Sequence, residues 1–333
     1  MIDFGDASPL RSQTLWHAVA YGVSRGAPPT LSFVRPAAPY VSIGRTRSAR
    51  EVDLTYCRRA GLPVYRRMVG GGPVYLDPHQ LFFQITVPAR RAPPTGMQTL
   101  RALLSPAVRA FRACGVPAAL DSYGEVAVGD RKICGHAGGQ VEEAVVVVGN
   151  LIEEFPAEQA ARVLDLPHPR VRAEVERQVG RYVLATPVDP DRFKSALVRS
   201  YADALGLRPE AGGLSVYEHR AVRQLDRLFE SPRWLWDVDG SPEGTWRVKI
   251  RAGVWVCAVQ VGSGFLMASG VEGRVVDVAA VGLVPRGARH DLRELAASLK
   301  GARLDEAICR LQSWGEEGSR LAAAWSRAAA LAV

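Results

Sequence analysis

The first two thirds of the chain alternate short apolar runs with longer amphipathic patterns. Apolar residues spaced three and four apart predict helices at Ser12–Arg25, Glu51–Ala60, Gln98–Cys114, Ala157–Leu166 and Asp191–Leu205. Compact runs rich in Val, Ile, Leu and aromatic residues predict strands at Thr30–Val34, Tyr40–Gly44, Leu62–Met68, Pro73–Asp77, Leu81–Val87, Glu125–Val128, Arg131–Cys134 and Ala144–Phe155. Within the third helix, Pro106 predicts a break.

The order of these elements predicts the fold class. Several strands follow one another as hairpins, for example around the two-residue turn Gly129-Asp130. Strands and helices do not alternate in the regular manner of a parallel sheet. The pattern therefore predicts an α+β fold in which a mixed, mainly antiparallel sheet is flanked by helices.

The residue composition changes near residues 236–244, where glycine and proline follow a tryptophan-rich stretch. Beyond it, the pattern predicts strands at Trp246–Ile250, Val254–Val261 and Arg274–Val281, and helices at Asp291–Leu299, Asp305–Trp314 and Ser319–Ala332. We expect two domains, residues 1–238 and 239–333, of which the second is a small α+β accessory domain.

Composition narrows the class of protein. Hydrophobic residues make up 47% and charged residues 23% of the 333 positions, as in ordinary globular proteins. The formal charge is +8, but the basic residues are interleaved with Asp and Glu instead of forming a stripe. The charge pattern therefore does not indicate a nucleic-acid partner.

Localisation and cysteine chemistry follow from what the sequence lacks. It shows no apolar run of membrane-spanning length and no secretory signal, so we expect a cytoplasmic protein with no membrane partner. The five cysteines are scattered, without a CxxC pair, which argues against a zinc ribbon or a disulfide scaffold.

One stretch with candidate chemistry is the glycine triplet Gly70–Gly72, which lies between two predicted strands. Glycine permits positive φ and exposes backbone N–H groups, and the preceding Arg66 and Arg67 would add positive charge. Such a loop can bind phosphate, although a plain flexible loop fits the glycines equally well. It matches neither the P-loop nor the Rossmann pattern.

A second stretch is the hairpin that carries Lys132. Of the 42 Lys and Arg residues only four are lysine, so a lysine at this position departs from the chain's preference for arginine. Strand alternation would place Lys132, Cys134 and His136 on one side of the sheet. Lys132 either supplies a compact ammonium group that a functional site requires, or it is a solvated hairpin residue. The spacing alone leaves both interpretations open.

Together the two stretches resemble the lipoate–protein ligase A group of the biotin/lipoate ligase superfamily. The family's glycine-rich element reads RRMVGGGPVYLD at Arg66–Asp77, and its Gly-Arg-Lys element reads GEVAVGDRKICGHA at Gly124–Ala137. Val41–Arg45 and Val148–Ile152 resemble two further family strands, so that the resemblance covers about residues 12–205. It implies a ligase fold related to the catalytic cores of class II aminoacyl-tRNA synthetases.

The resemblance also implies an activity. Lipoate and ATP would form lipoyl-AMP, with Mg²⁺ on the phosphates, and the lipoyl group would pass to a lysine of a lipoyl carrier domain. Such carriers are the E2 subunits of 2-oxoacid dehydrogenases, the glycine cleavage H protein or similar proteins. Lys132 would be the catalytic cation and Glu125 a metal ligand. The residues implied to bind ATP and lipoate are Arg67, Gly70, Gly71, Gly72, Pro73, Val74, Tyr75, Lys132, Gly135 and His136.

Departures from the family pattern keep alternatives open. Polar family positions are occupied by other residues at Leu76, Gln80, Gly124, Glu125, Cys134, His136 and Val148. One alternative is an octanoyl or lipoyl acyltransferase of the same superfamily, which would use Cys134 as a thioester nucleophile. However, the segment where related octanoyltransferases carry their cysteine reads Leu120-Asp121-Ser122-Tyr123 here. Another alternative is a non-catalytic homologue that binds the carrier. A biotin ligase would need a glycine- and arginine-rich loop that the sequence lacks.

Overall fold

The computed structural model describes residues 1–94, 96–238, 244–282 and 292–331. Its strands are β1 (Ile2–Ala7), β2 (Thr30–Pro36), β3 (Tyr40–Ile43), β4 (Val64–Arg66), β5 (Val74–Leu76), β6 (Gln80–Pro88), β7 (Ala119–Leu120), β8 (Val126–Val128), β9 (Arg131–Lys132), β10 (His136–Val141), β11 (Ala144–Ile152), β12 (Thr245–Arg251), β13 (Val254–Val261), β14 (Gly264–Val271) and β15 (Arg274–Gly282). Its helices are α1 (Pro9–Ser24), α2 (Leu54–Arg59), α3 (Gly96–Ala113), α4 (Ala157–Arg162), α5 (Pro169–Tyr182), α6 (Pro190–Leu205), α7 (Val216–Phe229), α8 (Pro232–Leu235), α9 (Leu292–Leu299), α10 (Leu304–Gln312) and α11 (Gly315–Leu331).

The chain forms two compact units, which differ in outline from the expected domains. The first comprises Met1–Ala49, Leu54–Pro156 and the described residues of Val183–Asp239. The second combines 50–53 and Ala157–Tyr182 with the described residues of Gly240–Val333. A division into a catalytic domain at 1–238 and an accessory domain at 239–333 stays a prediction, and part of its predicted boundary at 236–244 lies outside the described residues.

A five-stranded sheet in the order β1-β2-β6-β11-β10 organises the first unit. Only β1 and β2 are parallel, and the other neighbours pair antiparallel. One face packs on α3 and α6 through a large apolar core that contains Phe83, Leu104, Phe111 and Phe193. The other face packs on α1, which starts at a capping Ser8 followed by Pro9. Both faces of the sheet are therefore covered by helices.

Two three-stranded sheets complete the first unit and hold the two sequence motifs. In the order β4-β3-β5, β4 is parallel and β5 antiparallel to the central β3, and the glycine triplet connects β4 to β5. In the order β7-β8-β9, both pairings are antiparallel, and the predicted turn at Gly129-Asp130 joins β8 to β9. The expected α+β class with a mixed, mainly antiparallel sheet is confirmed.

The expected break at Pro106 is wrong, because α3 runs through this residue. A proline inside a helix removes one hydrogen bond, the one its missing N–H would donate to the carbonyl four residues earlier. Here that loss is offset by an apolar face on both sides of the proline, Leu103, Leu104, Ala107 and Phe111, all of which are buried in the core.

The second unit contains an antiparallel meander, β12-β13-β14-β15, and the helices α4, α5, α9, α10 and α11. Its core is formed by Trp255, Cys257, Leu311 and Trp325, among others. The expected helix start at Asp291 and helix end at Ala332 lie outside the described residues. Within the described residues, no helix is both long and apolar enough to cross a membrane.

Candidate active site

The glycine triplet forms a loop whose backbone packs closely against β3. Gly71 has a φ of +101°, in the region that favours glycine. The carbonyl oxygen of Gly71 approaches Gly44, at the end of β3, so closely that a Cβ at Gly44 would lie 1.8 Å from it. Glycine at both positions is thus required for the loop to fold back on the strand.

Arg67 holds this loop from inside. Its Nε donates to the carbonyl of Gly70 at 3.0 Å, and its Nη2 donates to the carbonyls of Gly70 and Gly72 at 2.8 and 3.0 Å. Its Nη1 donates to the backbone and hydroxyl oxygens of Ser42 at 2.9 and 3.2 Å. All five N–H bonds of the guanidinium group are therefore used within the protein.

Binding of the nucleotide by Arg67 stays a prediction. The resemblance implies that its side chain binds the nucleotide, whereas the structure directs every donor to loop and strand oxygens. Direct contact with a ligand would require some of these bonds to be exchanged. The guanidinium group is buried, and burial lowers its pKa to about 10, so it is charged at neutral pH. Among the described residues, no carboxylate forms an ion pair with it.

The bonds from Arg67 also orient the loop's outward face. In a trans peptide the carbonyl of one residue and the N–H of the next point in opposite directions. Since the Gly70 carbonyl points inward to Arg67, the N–H of Gly71 points away from it. Gly71 is itself exposed. The loop thus presents a backbone donor to solvent above a buried positive charge, an arrangement that attracts anions.

Lys132 ends β9 and forms an ion pair with Glu125. Its Nζ lies 3.0 Å from Glu125 Oε1, and the two side chains are only 15% and 4% exposed. The backbone of Lys132 pairs with Ala127 on one side, while on the other its carbonyl accepts the N–H of Leu184 at 2.8 Å. The ammonium group is therefore held at a defined place and does not extend into bulk solvent.

The expectation that Lys132, Cys134 and His136 share one side of a strand is wrong. Strand β9 stops at Lys132, and β10 starts only at His136. Between them, Ile133 and Cys134 are both fully buried in the same apolar core, so alternation is lost. The cause is the N–H of Gly135, which turns to donate to Asn150 Oδ1 at 2.6 Å.

The buried position of Cys134 also sets its chemistry. Its Sγ accepts the backbone N–H of Asn150 at 3.3 Å. Burial raises the pKa of the thiol to about 12, in spite of the bond from Asn150 and the nearby charge of Lys132. A thiol with such a pKa is almost entirely protonated at neutral pH and is a poor nucleophile.

The two motifs meet at β10. The N–H of Gly70 donates to the carbonyl of Gly138 at 3.4 Å, and Val69 contacts Gly139 closely enough that a Cβ there would lie 3.2 Å from its side chain. Strand β10 in turn follows the Lys132 strand after three residues and begins at His136, which pairs with Gly149 on β11. The glycine-rich loop therefore packs on the strand that follows the lysine hairpin, and a common site for the two motifs stays a prediction.

Comparison with known protein families assigns the chain to one of them. The family model of the lipoyl protein ligase A/B catalytic domain matches residues 10–202, which is more than half of the chain. The chain belongs to the lipoyl protein ligase A/B family.

The curated relatives of this chain have two different activities. It is 25% identical over 265 residues to an octanoyltransferase LipM of Kyrpidia tusciae, covering 70% of this chain and 97% of that protein. It is 24% identical over 225 residues to the lipoate-protein ligase A subunit 1 of Thermoplasma acidophilum, covering 63% of this chain and 85% of that subunit. The comparison leaves ligase and transferase activity unresolved.

A solved structure confirms the A/B ligase fold. The bipartite lipoate protein ligase of Thermoplasma acidophilum, studied with its E2 lipoyl domain, superposes with a TM-score of 0.64. The two chains are 23% identical, and the match covers 73% of this chain and 98% of the other. At this identity the likeness concerns the fold.

The metal ligand expected at Glu125 stays a prediction. Glu125 is buried, and one of its carboxylate oxygens is bonded to the ammonium group of Lys132. Within 1–94, 96–238, 244–282 and 292–331, no three His, Cys, Asp or Glu side chains are arranged to hold a metal ion.

The remaining expected residues line the loop and the start of β10. Pro73 and Tyr75 are half-buried, and Val74 is 40% exposed between them. Gly135 and His136 are partly exposed where β9 passes into β10. Direct contact of these residues with ATP or lipoate remains a prediction.

Several residues of the site have no signal in the sequence. Ser42 supports Arg67, and His17 on α1 accepts the backbone N–H of Met68 at 3.1 Å. Trp234 Nε1 donates to the Arg66 carbonyl at 2.8 Å, while the Arg66 guanidinium donates to the Trp234 and Leu235 carbonyls. Each of these contacts joins residues far apart in the chain, which single-sequence patterns do not encode.

Proposed function

We propose that this chain is a lipoate–protein ligase. It activates lipoate with ATP to lipoyl-AMP and transfers the lipoyl group to a specific lysine of a lipoyl carrier domain. The observation that carries the proposal is the buried charge of Arg67 beneath the glycine loop.

Arg67 has no carboxylate partner among the described residues. A buried cation without a counter-ion is costly, and an anion at the loop offsets that cost. The loop offers the outward N–H of Gly71 to the same anion. ATP brings several negative charges to one place, so a nucleotide phosphate suits this arrangement well. Carrying a lipoyl or octanoyl group from one protein to another brings less negative charge to the loop.

Lys132 supplies the charge at the reacting groups. ATP supplies the activation: the lipoate carboxylate oxygen bonds to the α-phosphorus as pyrophosphate leaves. Two anions must approach each other in that step, and a fixed ammonium group between them lowers the barrier. Glu125 holds that ammonium group in place at 3.0 Å. In the second step the acceptor amine bonds to the acyl carbon as AMP leaves, and a water-excluded site favours the neutral amine that must attack.

The second candidate is octanoyl transfer without ATP. It is favoured by the LipM relatives, since this chain spans 97% of the length of the one from Kyrpidia tusciae. This candidate needs a thioester nucleophile, and Cys134 is unsuited to that role because its thiol is buried and its pKa is raised to about 12. Of the other four cysteines, Cys57 and Cys257 are buried. Cys114 is half-buried, and burial raises the pKa of its thiol, while Cys309 is exposed in the second unit.

The acceptor follows from the same family. The Thermoplasma structure pairs a ligase with an E2 lipoyl domain. We extend this to the chain described here and propose lipoyl domains of 2-oxoacid dehydrogenase E2 subunits, or the glycine cleavage H protein, as acceptors.

One experiment separates the candidates. Lipoate-dependent exchange of labelled pyrophosphate into ATP is expected for the ligase, followed by a mass increase of a lipoyl domain. Acylation of that domain from an octanoyl carrier protein, without ATP and without exchange, would instead establish the transferase. Calorimetric titration with ATP and then lipoate covers the non-catalytic alternative, for which neither ligand would give heat.

A further inference from the structure

A pair of buried amide side chains joins the two motifs of the site. Asn150 lies on β11 and Gln80 at the start of β6, opposite Ile152 in the register of these neighbouring strands. Asn150 is 3% and Gln80 is 1% exposed. Neither belongs to the glycine-rich loop or to the lysine hairpin.

On one side the pair contacts the segment that follows Lys132. Asn150 Oδ1 accepts the N–H of Gly135 at 2.6 Å, while the backbone N–H of Asn150 donates to Cys134 Sγ at 3.3 Å. A Cβ at Gly135 would lie 3.3 Å from Asn150 Oδ1, so the two groups are tightly packed. This one residue therefore fixes the turn between β9 and β10.

On the other side the pair contacts the end of the glycine-rich element. Asn150 Nδ2 donates to Gln80 Oε1 at 3.0 Å. Gln80 Nε2 then donates to the carbonyl of Tyr75 and to Asp77 Oδ1, each at 3.4 Å. Asp77 is buried, and burial raises the pKa of its carboxyl group.

The groups at both ends dictate the orientation of each amide. The N–H of Gly135 can only donate, and the Tyr75 carbonyl can only accept. Asn150 must therefore present its oxygen to Gly135, and Gln80 must present its nitrogen to Tyr75. Only one arrangement of the two amides satisfies every bond.

We propose that Gln80 and Asn150 act as positioning residues, an amide bridge that holds the glycine-rich element and the lysine hairpin in register. The bridge touches neither reacting group. It acts through Tyr75 and Gly135, whose place in the site rests on the proposed function. Burying two amides is favourable only when all their bonds are made, so the bridge exists as a whole or is lost as a whole.

Two substitutions of Gln80 separate positioning from mere packing. Gln80→Met keeps the shape of the side chain and removes both polar atoms. Gln80→Glu keeps the oxygen that faces Asn150 but places a second oxygen against Tyr75 and Asp77. When that carboxyl group is ionised it repels Asp77, and when it is protonated its O–H replaces the lost donor.

Burial and the neighbouring Asp77 carboxylate raise the pKa at which this new pair takes up one shared proton. The ratio of variant to wild-type kcat/KM for ATP is therefore expected to be about tenfold below one at pH 8 for both variants. It should recover towards one for Gln80→Glu as the pH falls to about 5.5, and it should stay low for Gln80→Met. Taking the ratio at each pH removes the pH dependence of the chemistry itself.

Backbone hydrogen exchange without substrate tests the bridge independently of activity. Gln80→Met is expected to speed exchange in peptides that cover 132–137, and Asn150→Leu to speed exchange in peptides that cover 74–79. Tyr201→Phe is the matched control, because it removes a different buried hydrogen bond of the same unit, to the Leu103 carbonyl at 2.6 Å. It should alter neither segment.

The outcomes distinguish the two proposals. The two variants could show the reciprocal hydrogen-exchange effects while the wild type has no ligase activity. That result would support the bridge and reject the ligase. Hydrogen-exchange effects confined to the segment next to each substitution would reject the bridge whatever the wild-type activity. In an active ligase, equal pH profiles for Gln80→Glu and Gln80→Met would also reject it.

Discussion

The Nε2 atom of His17 lies 3.1 Å from the amide nitrogen of Met68, and its Nδ1 lies 2.7 Å from the carbonyl oxygen of Gln13. A backbone amide can only donate and a carbonyl can only accept, so the ring is neutral with its proton on Nδ1. Burial is the main reason that the pKa of His17 is lowered to about 3. Through this ring, α1 fixes the backbone between Arg67 and the glycine loop.

The His17 ring predicts a pH dependence of stability. The unfolded chain takes up a proton near pH 6.5, whereas the folded protein takes it up only near pH 3. The unfolded state therefore binds more protons between these values, and acid destabilises the fold by up to about 1.4 kcal/mol per pH unit. Above pH 6.5 the contribution is complete. Urea unfolding at pH 7, 5.5 and 4.5 measures it.

Two substitutions isolate this contribution from that of the carboxylates. His17→Gln should show a shallower loss of unfolding free energy with acid than the wild type. His79→Gln is the control, because the His79 side chain is 55% exposed. Parallel slopes for the wild type and His17→Gln would contradict the assigned protonation state.

The glycine triplet predicts a strong contrast between neighbouring positions. Gly71→Ala places a Cβ 2.5 Å from Arg67 Nη2 at a φ of +101°, whereas a Cβ at Gly72 has no atom within 4 Å. We expect Gly71→Ala to lower the free energy of unfolding by about 1–3 kcal/mol and Gly72→Ala to leave it nearly unchanged. Thermal unfolding of the two variants tests this, and an equal loss in both would argue against the described loop conformation.

The glycine loop and the lysine hairpin show how much of the structure could be predicted from the sequence. The glycine triplet, the turn at Gly129-Asp130 and the fold class were all predictable, since glycine conformation, turn chemistry and apolar spacing are local properties. The contacts of Arg67 within the protein were not predictable. Whether an arginine points at a ligand or back at its own loop depends on Ser42 and Gly70, which the fold brings to it.

The elements that pattern reading missed have the same explanation. Helices α5 and α7 carry many charged residues with only a narrow apolar face, and β14 is interrupted by small residues. Their pairing partners lie elsewhere in the chain and stabilise them through packing. The same holds for Asn150, whose function in the site depends entirely on Gly135 and Gln80.

The buried position of Cys134 predicts the effect of replacing this residue. Cys134→Ala removes the acceptor of the buried Asn150 N–H and should cost about 1–3 kcal/mol of unfolding free energy. Acyl transfer to a lipoyl domain should persist at temperatures where the variant is folded, because the thiol takes no part in it. The measurement is transfer from lipoate and ATP, with octanoyl carrier protein as the second donor. Detection of a thioester on Cys134 in the wild type would overturn this.

Lys132 allows charge to be separated from folding. Lys132→Met removes the ammonium group and leaves Glu125 buried without its partner at 3.0 Å, which should destabilise the protein by about 3–5 kcal/mol. Loss of activity in that variant alone would thus be ambiguous. The double variant Lys132→Met/Glu125→Gln removes both charges and should recover most of the stability.

For the ligase, pyrophosphate exchange should fall by a factor of roughly 10³ or more in both variants, because each lacks the preorganised cation at the reacting phosphate. Glu125→Gln alone keeps the ammonium group and should retain more exchange than either variant that lacks it. Exchange that returns with stability in the double variant would mean that Lys132 stabilises the hairpin and does not act on the phosphate. Exchange that stays low in a well-folded double variant would mean that the charge itself performs the chemistry.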